Sequence, residues 1–443
     1  MREKLPQGKI SVLQATAINM IDMVGIGPFV VLSFIVQQLN NNFLYAWIAG
    51  ALLAMVDAMI WSELGSTFPL AGGSYNFLKE GFGPKTGKLM SFLFVWQTMI
   101  QAPLVIASAA IGFSQYLAFI VQLNSTSSKI VSAVVIILIV FLLYRKIEDI
   151  GKISVLLWLG VIITMTCIIG GGLWNGNFAA PVKHMNDNLE INSTFFAALG
   201  IASVKSIYSY LGYYNVCHLG GEIANPQKNI PRSMFISVIG ITILYLLMNI
   251  SIASALPIEK IKNSPFVASD FIKTLAGSSA AVVVTCLILW VAFASAFSAT
   301  LGYSRIPYAA AKDGAFFKIF ARLHPSKKFP YISLLFLGAV AIIFSLTLDI
   351  KHIITAILAM RILLQFAAQA VGLLLLNKKN GRNFFAWKMP LFPIPVIVAI
   401  LVWLAIFYST GVSMMLYAAY VIGAGIIVYS IKAYINKEWP FKN

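Results

Sequence analysis

From residue 389 to residue 431 the chain carries no Asp, Glu, Lys or Arg. Uncharged runs of about 20 residues are long enough to cross the roughly 30 Å hydrocarbon core of a bilayer as helices. Similar runs recur along the whole sequence, and they predict spans near 11–38, 43–68, 88–121, 130–144, 153–174, 194–219, 233–256, 279–303, 331–348, 353–376, 390–409 and 412–432. Inside a bilayer no water is available to the backbone, so each group must be satisfied within a helix or a closed barrel. Barrel strands would alternate apolar and polar residues over about ten positions, whereas these runs are continuous and apolar on all faces. The expected fold is therefore an all-α polytopic membrane protein with about twelve transmembrane helices in a single domain over 1–443. The run 389–431 is divided at the polar, glycine-containing turn "YSTGVS", and the fourth span is the shortest.

Composition supports this class. Hydrophobic residues make up 59% of the chain, charged residues 11%, and mean hydropathy is +0.85, well outside the range of soluble domains. The net charge of +17 invites a nucleic-acid reading that its distribution does not support. With a cytoplasmic N-terminus, about 24 basic residues fall in the termini and even-to-odd loops, about 6 in the opposite loops and about 2 within spans, which is the positive-inside bias. Both termini are expected in the cytoplasm, with the protein in the plasma (inner) membrane. The basic loops "KDGAFFKIFARLHPSKK" and "NKKNGRNFFAWK" suit anionic headgroups, and no nucleic-acid partner is expected.

The opening "MREKLPQGKI" is too short and polar for a cleaved signal, so the first span is expected to be retained. Cys167, Cys217 and Cys286 lie in or beside apolar spans without disulfide or metal-ligand spacing and read as packing residues. Walker and dinucleotide fingerprints are absent, and no cofactor is expected.

The first span contains "IDMVGIGPFVVL", residues 21–32. Gly25 and Gly27 free the backbone from the helical basin, and Pro28 lacks an N–H, so the hydrogen-bond ladder should be interrupted near 24–29. A simple proline kink is one reading. A second interruption, "SIYSYLGYYNVCHLGGEI" at 206–223 with Gly212 at its centre, favours another. Paired broken helices, one opening each half of a ten-span arrangement, are the pattern of inverted-repeat transporters. A half-helix beginning near Phe29 would offer free N–H groups and a positive dipole end to a carboxylate. One ending near Ser209 would offer carbonyls to an ammonium. An α-amino acid carries both groups.

These residues also carry a resemblance. "VGIGPF" resembles the first-span Gly-x-Gly-Ile-Phe signature of the amino acid–polyamine–organocation superfamily, with Pro28 in place of the usual Ile. "SELGSTFPLAGGSYNFLKEGFG" (62–83), "GEIANPQKNIPRSM" (221–234) and "YSRIPYAAAKDG" (303–314) resemble three further blocks of that family, in the same order. The resemblance implies a LeuT-like 5+5 inverted repeat, with 11–174 and 194–376 as its halves and 390–432 as two additional helices. It implies secondary transport of amino acids or related amines by alternating access. It also implies a substrate site of Gly25, Ile26, Gly27 and Phe29 on the carboxylate side and Tyr208, Ser209, Tyr210 and Gly212 on the amine side. Tyr213 stands where the family places an aromatic, often Trp, that closes over the substrate.

Ionisable residues within spans usually face a cavity or a partner, because burying them in lipid is costly. Asp22 can approach substrate, a coupling proton or a basic neighbour. Lys205 either snorkels outward or faces an acidic group. Glu63 and Glu222 are expected to pair with basic loop residues or to act as gates. Asp57 can neutralise an intramembrane cation, Arg361 is expected to pair with a buried carboxylate or helix carbonyls, and His218 to donate a packing hydrogen bond. No lysine follows Lys152 in the fifth span, which disfavours one proton mechanism found in such relatives. Ser295, Ser298 and Thr300 offer hydroxyls to sodium but are equally ordinary packing residues, so no metal site is assigned. Exchange, proton symport and sodium symport all stay open, as do the substrate and the oligomeric state. A transporter of polyamines or other organic amines is the alternative. A channel would show repeated polar rings and a membrane enzyme a cluster of acid–base or metal-binding groups; neither pattern is present.

Overall fold

The computed structural model describes residues 8–187 and 189–441. Its helices, in chain order, are α1 (Val12–Met23), α2 (Gly27–Leu39), α3 (Leu44–Thr67), α4 (Ser74–Gly81), α5 (Thr86–Leu117), α6 (Ser125–Leu143), α7 (Ile147–Asn175), α8 (Ala180–Lys183), α9 (Ser193–Tyr210) and α10 (Asn215–His218). They continue as α11 (Pro226–Ala255), α12 (Ile258–Asn263), α13 (Val267–Tyr303), α14 (Arg305–Lys312), α15 (Tyr331–Thr347), α16 (Ile350–Arg361), α17 (Gln369–Asn380), α18 (Ile394–Ser409) and α19 (Val412–Ile435). A π-helical stretch, Ile362–Ala368, joins α16 to α17. Among the described residues the extended pairing consists of isolated bridges, Ile10 with Ile223 and Ala71 with Leu219.

Among the described residues eight helical stretches are long and apolar enough to cross a membrane, and Tyr331–Thr347 and Ile394–Ser409 are shorter apolar helices. Two of the eight, Gly27–Thr67 with 41 residues and Val267–Lys312 with 46, are about twice the length one crossing needs. Each is divided. A 3-10 turn at Asn40–Phe43 separates α2 from α3, and α13 is bent at Gly277, where φ is 80°.

Helix ends follow local chemistry. Ser11 and Gln14 form a capping box at the start of α1, with bonds of 3.3 and 2.9 Å. Asn124 accepts from the Ser127 amide at 2.7 Å, so α6 begins at Ser125, before the expected residue 130. The first interruption falls at 24–26, and α2 resumes at Gly27, two residues ahead of Phe29. Pro28 sits in its first turn, where no N–H is required and the fixed φ suits a helix start.

The centre of the bundle is built from α1, α2, α9, α10, α11 and α13. α1 packs on α7, α11 and α13, and α2 packs on α9. Trp47, Tyr210 and Tyr245 are fully buried there in mutual edge-to-face contacts. At the periphery, α6 exposes Ile130, Ile137 and Phe141, and α19 exposes Ile427 and Ile431. Apolar side chains facing outward are what lipid-facing helices require.

Candidate functional site

The two interruptions lie against each other. At the first, the Val24 amide still bonds to the Met20 carbonyl and the Gly25 amide to that of Met23, both at 2.9 Å. Among the described residues the amides of Ile26 and Gly27 have no acceptor, and Pro28 has no N–H. The start of α2 therefore presents free donors at the positive end of its dipole. At the second interruption α9 ends at Tyr210, the chain turns through 211–214, and α10 begins at Asn215. Among the described residues no backbone amide donates to the Tyr210 and Leu211 carbonyls.

Glycines let these segments approach closely. A Cβ on Gly27 would lie 3.0 Å from Ser209 Oγ and 3.2 Å from a Tyr208 ring carbon, and one on Gly25 would lie 2.6 Å from Ser295 Oγ. Gly212 has φ of +120°, and its Cβ would come within 2.8 Å of the Asp22–Met23 backbone. The Tyr245 hydroxyl reaches both interruptions, 2.7 Å from the Met23 carbonyl and 2.9 Å from that of Ser209.

Between the two lies a small cavity of about 40 Å³. Of the residues singled out from sequence, Gly25, Ile26, Gly27, Tyr208, Ser209, Gly212, Asp22, Ser295 and Arg361 line it. Phe29, Tyr210 and Tyr213 lie outside its lining. The Phe29 carbonyl accepts from the Tyr116 hydroxyl at 3.1 Å, Tyr210 packs on Trp47 and Tyr245, and the Tyr213 hydroxyl donates to Asp57. The lining also includes Ser108, Tyr214 and Tyr303. Ser108 shares a 2.9 Å hydrogen bond with Tyr208. Arg361 is 2% exposed and donates to the hydroxyls of Tyr214 and Tyr303. Its hydrogen-bond partners are thus phenols, where sequence suggested a carboxylate or helix carbonyls. Tyr214, Tyr303 and Tyr245 had no local signal beyond being aromatic within a span.

The remaining ionisable groups are tied into the scaffold. Asp57 also accepts from Trp403 Nε1 at 3.2 Å, which links α3, the 211–214 turn and α18. Glu63 is fully buried. It pairs with Arg382, whose second bond is 3.1 Å, and accepts from the Met389 amide at 2.8 Å. Glu222 pairs with Arg305 at 3.2 Å. Lys205 donates to the Thr355 hydroxyl on α16 at 2.8 Å. His218 packs among Trp61, Tyr214 and Tyr303 beside the Gly72 backbone. Ser298 Oγ donates to the Ile18 carbonyl at 2.8 Å and accepts from Asn215 at 3.0 Å, and Ser295 Oγ lies 3.4 Å from the Asp22 carbonyl. These serines join α13 to α1 and α10.

The model of the family described as "Amino acid permease" matches residues 10–431. The chain is 25% identical to the "Serine/threonine exchanger SteT" of Bacillus subtilis over 363 residues, which cover 81% of this chain and 80% of that protein. It is 25% identical to the human "Cystine/glutamate transporter" over 391 residues, 87% of this chain and 77% of that one. It is 24% identical to the rat "b(0,+)-type amino acid transporter 1" over 453 residues, 98% and 90% of the two chains.

Proposed function

From a chain that belongs to the amino acid permease family, we propose a secondary transporter that carries L-amino acids by alternating access. The family and its relatives are transporters and not enzymes, and the protein is an integral, multi-pass membrane protein. One observation carries the finer reading: two interrupted helices meet at a cavity, one with free amides at Ile26 and Gly27 and the other, among the described residues, with a carbonyl not used by the backbone at Leu211. The first set suits a carboxylate and the second an ammonium. An α-amino acid presents both on one carbon, and it is held without spending a protein charge on either group.

The architecture we propose has twelve spans, with the interruptions in the first and sixth, and the ten-helix core arranged as a LeuT-like inverted repeat followed by α18 and α19. The charge distribution supports cytoplasmic termini. Glu63–Arg382 and Glu222–Arg305 then lie towards the cytoplasm and fasten its loops.

The test is uptake by purified protein in liposomes. Labelled neutral, acidic and basic amino acids are offered with and without a proton gradient, sodium or internal amino acid. Uptake that requires internal substrate identifies exchange. Uptake into empty vesicles driven by protons or by sodium identifies that symport. Uptake of polyamines with none of any amino acid overturns the assignment.

A further inference from the structure

Three polar groups facing the cavity have bonding capacity that the protein leaves unused. Arg361 donates two of its five N–H groups to Tyr214 and Tyr303, and its Nε–H has no partner. The Ser209 hydroxyl is buried without a partner. Among the described residues no side-chain or backbone donor reaches the Asp22 carboxylate, and no ion pair joins it to Arg361, although both line the same cavity. Buried polar groups are normally satisfied, so unused donors and an unused acceptor around one cavity indicate what completes them.

We propose that Arg361 and Asp22, with Ser209 beside them, form a side-chain subsite selecting amino acids whose side chains are neutral but both donate and accept hydrogen bonds: hydroxyls and carboxamides. The proposal rests on the amino acid transport reading, in which the helix ends hold the α-carboxylate and α-ammonium and leave these side chains for the rest of the substrate. A carboxamide oxygen accepts from the guanidinium while its NH2 donates to Asp22, and a hydroxyl does both through one atom. The opposed charges act as filters. An acidic side chain can pair with Arg361 only against repulsion from Asp22, and a basic one with Asp22 only against repulsion from Arg361, whereas a neutral donor–acceptor side chain meets both without a like-charge contact. An apolar isostere leaves both groups unpaired, the situation in which sites built for hydrogen bonding reject substrates most sharply.

The experiment measures apparent KM for near-isosteric substrates in proteoliposomes: Thr against Val, Asn against Leu and Asp, Gln against Glu and Lys. The expected result is that Thr, Asn and Gln are favoured over their counterparts by roughly tenfold or more. Asp22→Asn retains size and hydrogen-bonding capacity while removing the negative charge, and it is expected to raise the Asp:Asn preference about tenfold or more. Arg361→Gln is expected to move the Lys:Gln preference in favour of Lys. Because Arg361 is buried and that variant can fail to fold, the wild-type panel and Asp22→Asn carry the decision. Preference for Val, Asp or Lys in the wild type, or an unchanged Asp:Asn ratio in Asp22→Asn, overturns this assignment alone. Absence of transport for every amino acid overturns the transport reading together with it.

Discussion

At the scale of single residues, the site depends on side chains that are missing. Gly27→Leu is expected to lower substrate affinity by about 100-fold, because its side chain must displace Tyr208 and Ser209 from the substrate geometry. Unchanged binding in correctly folded protein would reduce the first interruption to a kink. Gly212→Ala meets the Asp22–Met23 backbone in a region of φ that L-residues avoid. It should destabilise the protein by roughly 1–3 kcal/mol or more, seen as a lower melting temperature in detergent. These positions are legible in sequence because glycine and proline act on the backbone locally. The cavity-facing aromatics are less so. Tyr213 and Tyr214 are adjacent and chemically alike, yet the turn after α9 sends one hydroxyl to Asp57 and the other to Arg361. That division is made by the partners on α3 and α16, which no local pattern announces.

At the scale of elements, apolar runs reveal helices but not what fastens one to the next. The second and tenth runs are visible in the sequence; the bond between Glu63 on α3 and Arg382 beyond α17, more than three hundred residues apart, is not. Glu63→Ala leaves Arg382 and the Met389 amide without their acceptor. Arg382 is partly exposed at 29%, so water compensates some of the loss, and a destabilisation of about 1–3 kcal/mol is expected, measurable by thermal unfolding. α18 is likewise more than a packing helix. Trp403 stacks on Phe366 of the π-helical stretch, with ring centroids 4.0 Å apart, and donates to Asp57. Asp57→Asn keeps the shape but disturbs a buried acceptor of two hydrogen bonds, so it should cost about 1–3 kcal/mol and slow transport. Unaltered stability and uptake would sever α18 from the site.

At the scale of the whole molecule, the paired interruptions bring two distant parts of the chain to one cavity, and Tyr245 touches both. Its hydroxyl has one hydrogen and lies within bonding distance of two carbonyls, those of Met23 and Ser209, so the segments share a single proton. Neither can swing away without changing the other's bond. Viewed in time, this predicts one relaxation rather than two: reporters placed on α1 and α9 should move with the same rate constant after substrate is added. Tyr245→Phe removes the shared proton while keeping the ring, and the two rate constants should then separate. Equal rates in that variant would locate the synchrony elsewhere in the bundle.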